Sequence, residues 1–292
     1  MAPEGFLLVD KPGGWTSHDV VAKVRGLAGT RKVGHAGTLD PMATGLLVLG
    51  LGRATRLLRF VSDSSKVYLA TALFGVATDT LDADGTETSR VPMPVSLDEV
   101  DGALEAFRGD IEQIPPMTSA IKIDGRKLYE LAREGKEIDR PSRPVTIHSL
   151  ELTGFDAGEF PVVEFRAHCS SGTYVRSLAD DIAASLGGRA HLVALRRTGI
   201  GSLQVDEARP LQDYIDDSDL IGPSLLSLAG GLADMSRLQV DDELGKRISH
   251  GSVLPLADLP IETATAVLDQ EGRLLAVYGP RDQSARPEVV VA

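Results

Sequence analysis

Cysteine is nearly absent from the sequence: Cys169 is the only one among 292 residues. A single cysteine allows neither an intramolecular disulfide nor a cysteine-based zinc cluster. No segment approaches the roughly 18 consecutive apolar residues of a membrane span, and the first fifteen residues lack the basic and apolar regions of a secretory signal. We therefore expect a cytoplasmic protein that does not contact a membrane.

Two glycine-rich nucleotide-binding patterns, GxxxxGK[ST] and GxGxxG, are also missing. The stretch LDADGTE, residues 81–87, looks at first like a calcium loop, but Thr80 and Val91 occupy ligand positions that require acids. An aspartate-nucleophile hydrolase using Asp82 or Asp84 would need a buried strand before the first aspartate, and TDTL does not read as one. Both interpretations are disfavoured.

The formal net charge of −12 argues against simple nucleic-acid binding, but the charge is unevenly distributed. Residues 1–60 contain eight Lys/Arg and four Asp/Glu, whereas residues 205–245 contain two Lys/Arg and ten Asp/Glu. A local basic surface can hold phosphates within an acidic protein. The plainer interpretation is a solvated surface that keeps the protein soluble.

Strand-like and helix-like segments alternate along the chain, which predicts an α/β or α+β fold. GFLLVDKPGG and Lys66 to Gly75 are typical of strands, Ser17 is expected to cap the first helix, and Ser96 with Glu99 forms the capping-box pattern of another. ATAVLDQEGRLLAVYG predicts a hairpin near the C-terminus. We expect a catalytic domain over residues 1–232 and a small C-terminal domain over residues 233–292, too small for much core of its own.

The stretch GHAGTLDPMATGLL, residues 34–47, places Asp40 on a glycine-lined turn directly before the strand-like run LLVLGLG. Aspartate in a turn often only bonds to the turn backbone. A part-buried carboxylate without a partner would be costly, however, and arginine is the partner whose geometry fits best. Asp40 is therefore a candidate functional carboxylate with an arginine beside it.

An ordered set of motifs resembles the TruB-type tRNA pseudouridine synthases of bacteria. It consists of LLVDKPGGWTSHDVVAKVR, GHAGTLDPMATGLL, KVYLA, GVATDTLDADG, PPMTSAIKIDGRKLYELAREG, CSSGTYVRSLADDIA and AHLVALRRTGIG, which together cover roughly residues 5–202. The C-terminal segment is similar, less specifically, to the PUA-type domain of the same family.

The resemblance implies a fold and a reaction. The fold is a mixed, largely antiparallel central sheet flanked by helices with a catalytic cleft, plus a small PUA-like β domain. The reaction isomerises uridine 55 of the tRNA T-loop to pseudouridine, after the base has been flipped out of the loop. Neither a metal ion nor an organic cofactor is expected. We expect the partner to be the tRNA T-stem-loop and the protein to be a monomer.

Three residues match the family's catalytic positions. Asp40 matches the catalytic aspartate, and its carboxylate can attack ribose C1′, assist loss of uracil through a glycal, or add to C6 of the base; the sequence does not choose among these routes. Arg176 in GTYVRSLADD matches the arginine expected to pair with it. Tyr68 matches the tyrosine that stacks on the flipped uracil and can take the C5 proton.

Other residues match substrate-binding positions. His35 matches the histidine that fills the stack left by the flipped base, Leu195 is expected to line the pocket, and Asp79 to contact the substrate loop or base. Without the resemblance, a loop histidine and a core leucine would be the ordinary interpretations of His35 and Leu195.

Basic residues near these motifs are the candidates for phosphate contacts. They are Lys11, Arg31, Lys32, Arg53 and the basic residues of the 122–143 stretch, including Lys122. Residues 119–144 combine glycine, proline and charge with few apolar anchors, so we expect a mobile insertion that becomes ordered on RNA. A non-catalytic tRNA-folding chaperone and a synthase acting on another RNA remain the alternatives.

Overall fold

The computed structural model describes residues 3–117, the backbone of residues 122–123 and 126–127, and residues 140–291. The predicted helix RKLYELARE and most of the predicted 119–144 insertion lie outside the described residues. Within the part that is described, no helix combines the length and apolar character needed to cross a membrane.

The α-helices of the described residues are short. They are α1 (Ser17–Leu27), α2 (Leu58–Ser62), α3 (Leu97–Ala106), α4 (Val175–Ser185), α5 (Leu211–Asp216) and α6 (Asp242–Ser249). Single 3-10 turns lie at Gly52–Arg56, Val205–Glu207, Ser218–Leu220 and Gly230–Leu232.

Among the described residues, strands are more numerous than helices. They are β1 (Gly5–Lys11), β2 (Val33–His35), β3 (Thr44–Leu51), β4 (Lys66–Phe74), β5 (Val76–Thr78), β6 (Glu87–Arg90), β7 (Gly109–Gln113), β8 (Lys122–Ile123), β9 (Arg126–Lys127), β10 (Arg143–Asp156), β11 (Val162–Cys169), β12 (Ala190–Ile200), β13 (Leu203–Gln204), β14 (Arg209–Pro210), β15 (Leu225–Leu226), β16 (Ser236–Gln239), β17 (Leu254–Pro255), β18 (Thr265–Leu268), β19 (Leu274–Arg281) and β20 (Ser284–Val290).

Helix starts follow local capping chemistry. Ser96 caps α3 with Glu99 in a reciprocal capping box, as predicted. The prediction that Ser17 caps α1 is wrong by one residue: Thr16 is the cap and forms the capping box with Asp19. Ser17 is the first residue of the helix and its hydroxyl is directed inward, because it bonds to a distant segment of the chain.

The chain divides into two compact units, each made of discontinuous segments. The first comprises Met1–Asp40, Gly45–Ser64 and Ile200–Ala292, and the second comprises Pro41–Thr44 and Ser65–Gly199. The expected domains, residues 1–232 and 233–292, follow a different criterion, and that division stays a prediction.

The first unit has a mixed sheet built around β1. This strand runs antiparallel to β3 over its whole length, from Gly5 opposite Leu51 to Lys11 opposite Gly45, and parallel to β14. Both β1 and β3 are almost continuously apolar because both of their faces are buried. The mixed sheet predicted for the family is therefore present.

A second, five-stranded sheet in the same unit has the order β16–β18–β19–β20–β17. Its central hairpin, β18 and β19, is the one predicted from ATAVLDQEGRLLAVYG. Phe6 and Leu46 from the N-terminal strands share an apolar core with Val277 and Val289 of the C-terminal sheet. Burying each such side chain contributes about 1.5–3 kcal/mol, so the C-terminal sheet gains stability from this shared core.

The second unit contains the antiparallel run β4–β11–β10–β7, with β12 beside β4. Along β4 the burial alternates: Tyr68, Ala70 and Ala72 are buried, whereas Leu69 is exposed. Because successive strand residues point to opposite faces, Tyr68 and Leu69 serve different surfaces. The predicted largely antiparallel character is confirmed in this unit.

Candidate active site

Asp40 lies on the turn between the antiparallel strands β2 and β3, which pair from Val33 opposite Leu51 to His35 opposite Leu49. Ala36 donates its backbone N–H to the Val48 carbonyl at 2.9 Å, which extends the pairing by one residue. Gly37 has φ +85°, a conformation that strongly favours glycine, so the reversal depends on that residue. The turn presents Asp40 as a half-buried side chain.

Arg176, in the first turn of α4, is almost fully buried, with 4% of its surface exposed. Its guanidinium Nη1 donates to the Thr80 carbonyl oxygen at 2.7 Å and lies 3.3 Å from Asp82 Oδ2. Two contacts with one short loop restrict the planar guanidinium, which is the condition for directional carboxylate recognition.

The loop that holds Arg176 is itself tightly bonded. Asp82 Oδ1 accepts from the Thr80 hydroxyl at 2.6 Å and from the Asp84 backbone N–H at 3.2 Å. Leu81 has φ +62°, an uncommon value for a branched residue, and its carbonyl accepts from the Leu192 N–H at 3.1 Å. The strained residue is thus held between the loop and β12.

Asp79 bonds to the backbone of a turn in the structure. One carboxylate oxygen accepts from the Thr86 backbone N–H at 2.8 Å, and the Asp79 N–H donates to the Thr86 carbonyl. The side chain is exposed. The Asp79 side chain therefore stabilises the turn. Its contact with the substrate stays a prediction.

Tyr68 and Leu195 are both largely buried, at 9% and 8% exposed. Tyr68 lies on β4 opposite Ala167 of β11, and Leu195 lies on β12. Leu195 contributes to a groove of about 580 Å³. The groove is lined by Met42, Thr44, Leu69, Ala70, Thr71, Thr153, Glu164, Val193, Ala194, Leu195 and Arg196. This lining includes none of Asp40, Tyr68 and Arg176, so the position of Leu195 in a pocket with these residues stays a prediction.

His35 packs against the ring of His18 in an edge-to-face arrangement, with centroids 5.3 Å apart and planes at 82°. Edge-to-face pairs are a preferred geometry for aromatic rings. His18 follows Ser17 in the first turn of α1, so this helix contacts the turn that carries Asp40 at His35.

The expected phosphate contact of Lys11 is contradicted. Lys11 is fully buried, and its ammonium donates to the carbonyl oxygens of Pro12 at 2.9 Å and Trp15 at 2.7 Å. A cation committed to main-chain carbonyls inside the protein is not presented to RNA; it fixes the connection between β1 and α1 instead.

The other basic candidates differ in their surroundings. Arg53 forms a salt bridge with Glu4 at 2.6 Å and also bonds to the Val291 carbonyl, so it links the N-terminal segment to the C-terminal one. Arg31 and Lys32 are exposed. The strand backbone at Lys122 is described, but its side chain lies outside the described residues.

Farther along α4, burial raises the pKa of Asp181 to about 6. The neighbouring Asp180 raises it further by charge repulsion, and Arg189 opposes both effects. Arg189 itself forms two hydrogen bonds to Asp180, each 2.8 Å long. Asp181 is thus a carboxyl with a raised pKa, about 6, on the helix that carries Arg176.

Sequence reasoning missed two residues, Asp82 and Ser17. Asp82 drew attention only as a disfavoured metal ligand or nucleophile, whereas the structure shows it holding Arg176. Ser17 was interpreted from the sequence only as a helix cap. A signal for Asp82 existed in principle, since a buried arginine requires an acidic partner. The expected pairing of Arg176 with Asp40 stays a prediction.

Comparison with known proteins gives consistent results. Residues 25–175 match the TruB family of pseudouridylate synthases, N-terminal domain. The chain is 44% identical to tRNA pseudouridine synthase B of Bacillus pumilus over 94% of this chain and 92% of that protein. It is 46% identical to the protein of the same name from Streptomyces coelicolor, over 94% and 93% of the two chains.

A Thermobifida fusca tRNA pseudouridine synthase B is 42% identical and covers 99% of both chains. In fold, the chain is similar to the structure described as the archaeal box H/ACA sRNP Nop10–Cbf5 complex, with a TM-score of 0.75, 22% identity, and coverage of 99% of this chain and 86% of that one. The chain belongs to the TruB family of pseudouridylate synthases.

Proposed function

We propose that this protein is a tRNA pseudouridine synthase that isomerises uridine 55 in the T-loop, with Asp40 as the catalytic group. The observation that carries the proposal is the near full-length similarity, at 42–46% identity, to proteins named tRNA pseudouridine synthase B. The half-buried Asp40 on its glycine-containing turn is the matching local feature.

The reaction needs a single anionic oxygen near the sugar or the base. The bond from ribose C1′ to N1 breaks, a bond from C1′ to C5 forms, and the C5 proton leaves while N1 gains one, so the atoms balance without a co-reactant. An ionised carboxylate can attack C1′, support the loss of uracil through a glycal, or add to C6. All three routes place Asp40 against the reacting nucleoside.

Arg176 is proposed to keep the Asp40 carboxylate anionic. An adjacent guanidinium lowers a carboxyl pKa by about 1–3 units, which matters in a site from which water is partly excluded. The Asp82 and Thr80 contacts support this role because they restrict the arginine before substrate arrives. Pre-formed geometry avoids reorganisation during the reaction.

Tyr68 is proposed to stack on the everted uracil and to take the C5 proton, and Leu195 to line the opposite side of the pocket. Extruding a base costs a few kcal/mol, and stacking on an aromatic face returns about 1–3 kcal/mol. His35 is proposed to fill the vacated position in the loop. The exposed Arg31 and Lys32 are suited to phosphate contacts.

Localisation, oligomeric state, cofactor use and two further RNA-binding segments are part of the same proposal. The protein is proposed to be a cytoplasmic monomer that uses no metal and no cofactor. Residues 233–292 are proposed as a PUA-like RNA-binding domain, and residues 119–144 as an insertion that orders on RNA. Protection of residues 119–144 from a protease by tRNA is the expected result, and equal cleavage with and without tRNA would contradict it.

The substrate assignment is tested by mapping pseudouridine in an unmodified tRNA transcript. The transcript is treated with purified protein in EDTA, and modified positions are located by sequencing after chemical labelling. We expect one modified site, uridine 55. Modification elsewhere would favour a synthase for another RNA, and activity only after magnesium is added would favour a metal-dependent hydrolase.

A further inference from the structure

The first turn of α1 lies directly against the segment that leads into Asp40. Ser17 is fully buried, and its hydroxyl both accepts from the Leu39 backbone N–H at 2.8 Å and donates to the Leu39 carbonyl at 3.1 Å. One side chain therefore satisfies both main-chain groups of a buried residue 22 positions away. The Ser17 hydroxyl thus bonds to both backbone groups of Leu39, as the backbone of an adjacent β-strand would.

Leu39 is the residue immediately before Asp40. Its carbonyl belongs to the planar peptide group that ends at the Asp40 nitrogen, so fixing that oxygen also fixes the plane from which Asp40 projects. On the other side, Pro41 restricts the backbone of the residue before it. Asp40 is thus constrained from both sides, by proline chemistry and by the Ser17 hydroxyl.

Ser17 is itself held firmly. Thr16 and Asp19 form a capping box at the start of α1, with the Thr16 N–H and hydroxyl donating to the Asp19 carboxylate at 2.9 and 2.6 Å. Val20, Val21 and Val24 bury the inner face of the helix. The buried Lys11 ammonium ties the preceding connection through the Trp15 carbonyl. The backbone that carries the Ser17 hydroxyl is therefore held in place.

The residue after Ser17 contacts the other end of the same turn. The His18 ring meets the His35 ring edge to face at 5.3 Å. Two consecutive helix residues thus touch the segment from His35 to Leu39 at both ends.

We propose that Ser17 is a positioning residue for catalysis, which sets the orientation of the Asp40 carboxylate through the Leu39 peptide, and that His18 supports the same turn at His35. The proposal rests on the catalytic role proposed above for Asp40. Misplacement of a reacting group by about 1 Å costs on the order of 100-fold in rate, so a hydroxyl that does not touch the substrate can control the rate of the chemical step.

The test is the single-turnover rate constant of the Ser17→Ala protein, measured with saturating enzyme well below its melting temperature. We expect a rate about 10- to 100-fold lower, with tRNA affinity in filter binding changed by less than about threefold. Ser17→Thr keeps the hydroxyl and should recover most of the rate. A wild-type rate in folded Ser17→Ala would overturn the proposal, as would an equal loss in the threonine variant.

Thr265→Val is the matched control. Thr265 has a buried hydroxyl that bonds to the Thr263 carbonyl at 2.9 Å in the C-terminal sheet. Its loss should lower the melting temperature and leave the rate unchanged; an equal loss of rate would assign the effect of Ser17→Ala to stability alone.

The exposed His18 offers a second route that does not depend on a buried position. A double-mutant cycle of His18→Asn and His35→Asn should show non-additive rate effects, whereas additive effects would remove His18 from the proposal. Asp40→Asn distinguishes the catalytic role of Asp40 from the positioning role of Ser17. If Asp40→Asn still forms product, the catalytic role proposed for Asp40 fails; if it is inactive while Ser17→Ala is normal, only the positioning role fails.

Discussion

Replacing Asp82 with alanine is the most severe test of the inference that Asp82 holds Arg176 in place. The Arg176 and Asp82 side chains are 5% and 6% exposed, and the closest nitrogen–oxygen distance between them is 3.3 Å. Removing one partner of a buried ion pair leaves an uncompensated charge and costs about 3–5 kcal/mol. Asp82 also accepts the Thr80 hydroxyl and the Asp84 N–H, so the loss cannot fall on the ion pair alone.

We expect urea unfolding, followed by circular dichroism at 222 nm, to give a free energy of unfolding about 3–4 kcal/mol lower for Asp82→Ala. The isosteric Asp82→Asn should lose less, because its carbonyl oxygen still accepts from Thr80. In both variants the single-turnover rate should fall, since Arg176 loses its contact with the Asp82 carboxylate.

The control is Asp84→Asn, two residues away in the same loop. Asp84 is exposed, and its replacement should change the free energy of unfolding by no more than about 0.5 kcal/mol. If Asp82→Ala unfolds like Asp84→Asn and retains the wild-type rate, then the ion pair neither stabilises the second unit nor supports Arg176, and the reasoning is refuted.

Three further predictions concern titratable groups. The pKa of Asp181 is raised to about 6 by burial, so this group favours folding when protonated; its contribution is full at low pH and is lost as pH rises from about 4 to about 6. Asp181→Asn should therefore be about 1 kcal/mol more stable than wild type at pH 8, a value discounted for partial exposure, and equal to it at pH 4; a constant difference would contradict this. Burial raises the pKa of the Cys169 thiol to about 11, so iodoacetamide at pH 8 should label it only after unfolding, and rapid labelling of native protein would be inconsistent with the buried site. Lys11→Met should lower the melting temperature without changing the salt dependence of tRNA binding, whereas Lys32→Ala should weaken binding and reduce that salt dependence; a reduced salt slope for Lys11→Met would restore its phosphate role.

Local chemistry accounts for the parts of the fold that the sequence predicted well. The capping box of Ser96 and Glu99, the alternation along β4, and the C-terminal hairpin each depend on residues a few positions apart. The one-residue error at α1 has a different origin, because it depends on a distant contact. Thr16, Ser17 and Asp19 present two possible caps, and the choice was decided by the bond from Ser17 to Leu39, which lies 22 residues away.

Long-range contacts explain what could not be predicted. The C-terminal strand is held by arginines of the 52–62 segment: Arg56 donates to the Val290 carbonyl at 2.7 Å, and Arg59 bonds to Glu288 at 2.8 Å. These partners are more than 200 residues apart, and no periodicity links them. Lys11 shows the same limit, because a lysine in a glycine-rich turn reads as a phosphate ligand until its burial is known.

Family motifs predicted the residues of the candidate site. They did not predict the residues that hold those site residues in position. Asp40, Tyr68 and Arg176 each stand in a motif with a recognisable pattern, whereas the roles of Asp82 and Ser17 depend on contacts across 94 and 22 residues. Positioning contacts of this kind join segments that are distant in sequence, so the pattern around each residue carries no information about its partner.

The most direct test of the central claim is single-turnover conversion of uridine 55 by Asp40→Asn, with tRNA binding measured on the same preparation. Asparagine keeps the size and one acceptor oxygen of the side chain, but it replaces the other oxygen with a donor NH2 group and cannot supply an anionic oxygen. The account predicts no detectable pseudouridine together with tRNA affinity within about threefold of wild type, which also separates an enzyme from a binding chaperone. Product formation by Asp40→Asn at a rate near that of the wild type would contradict it.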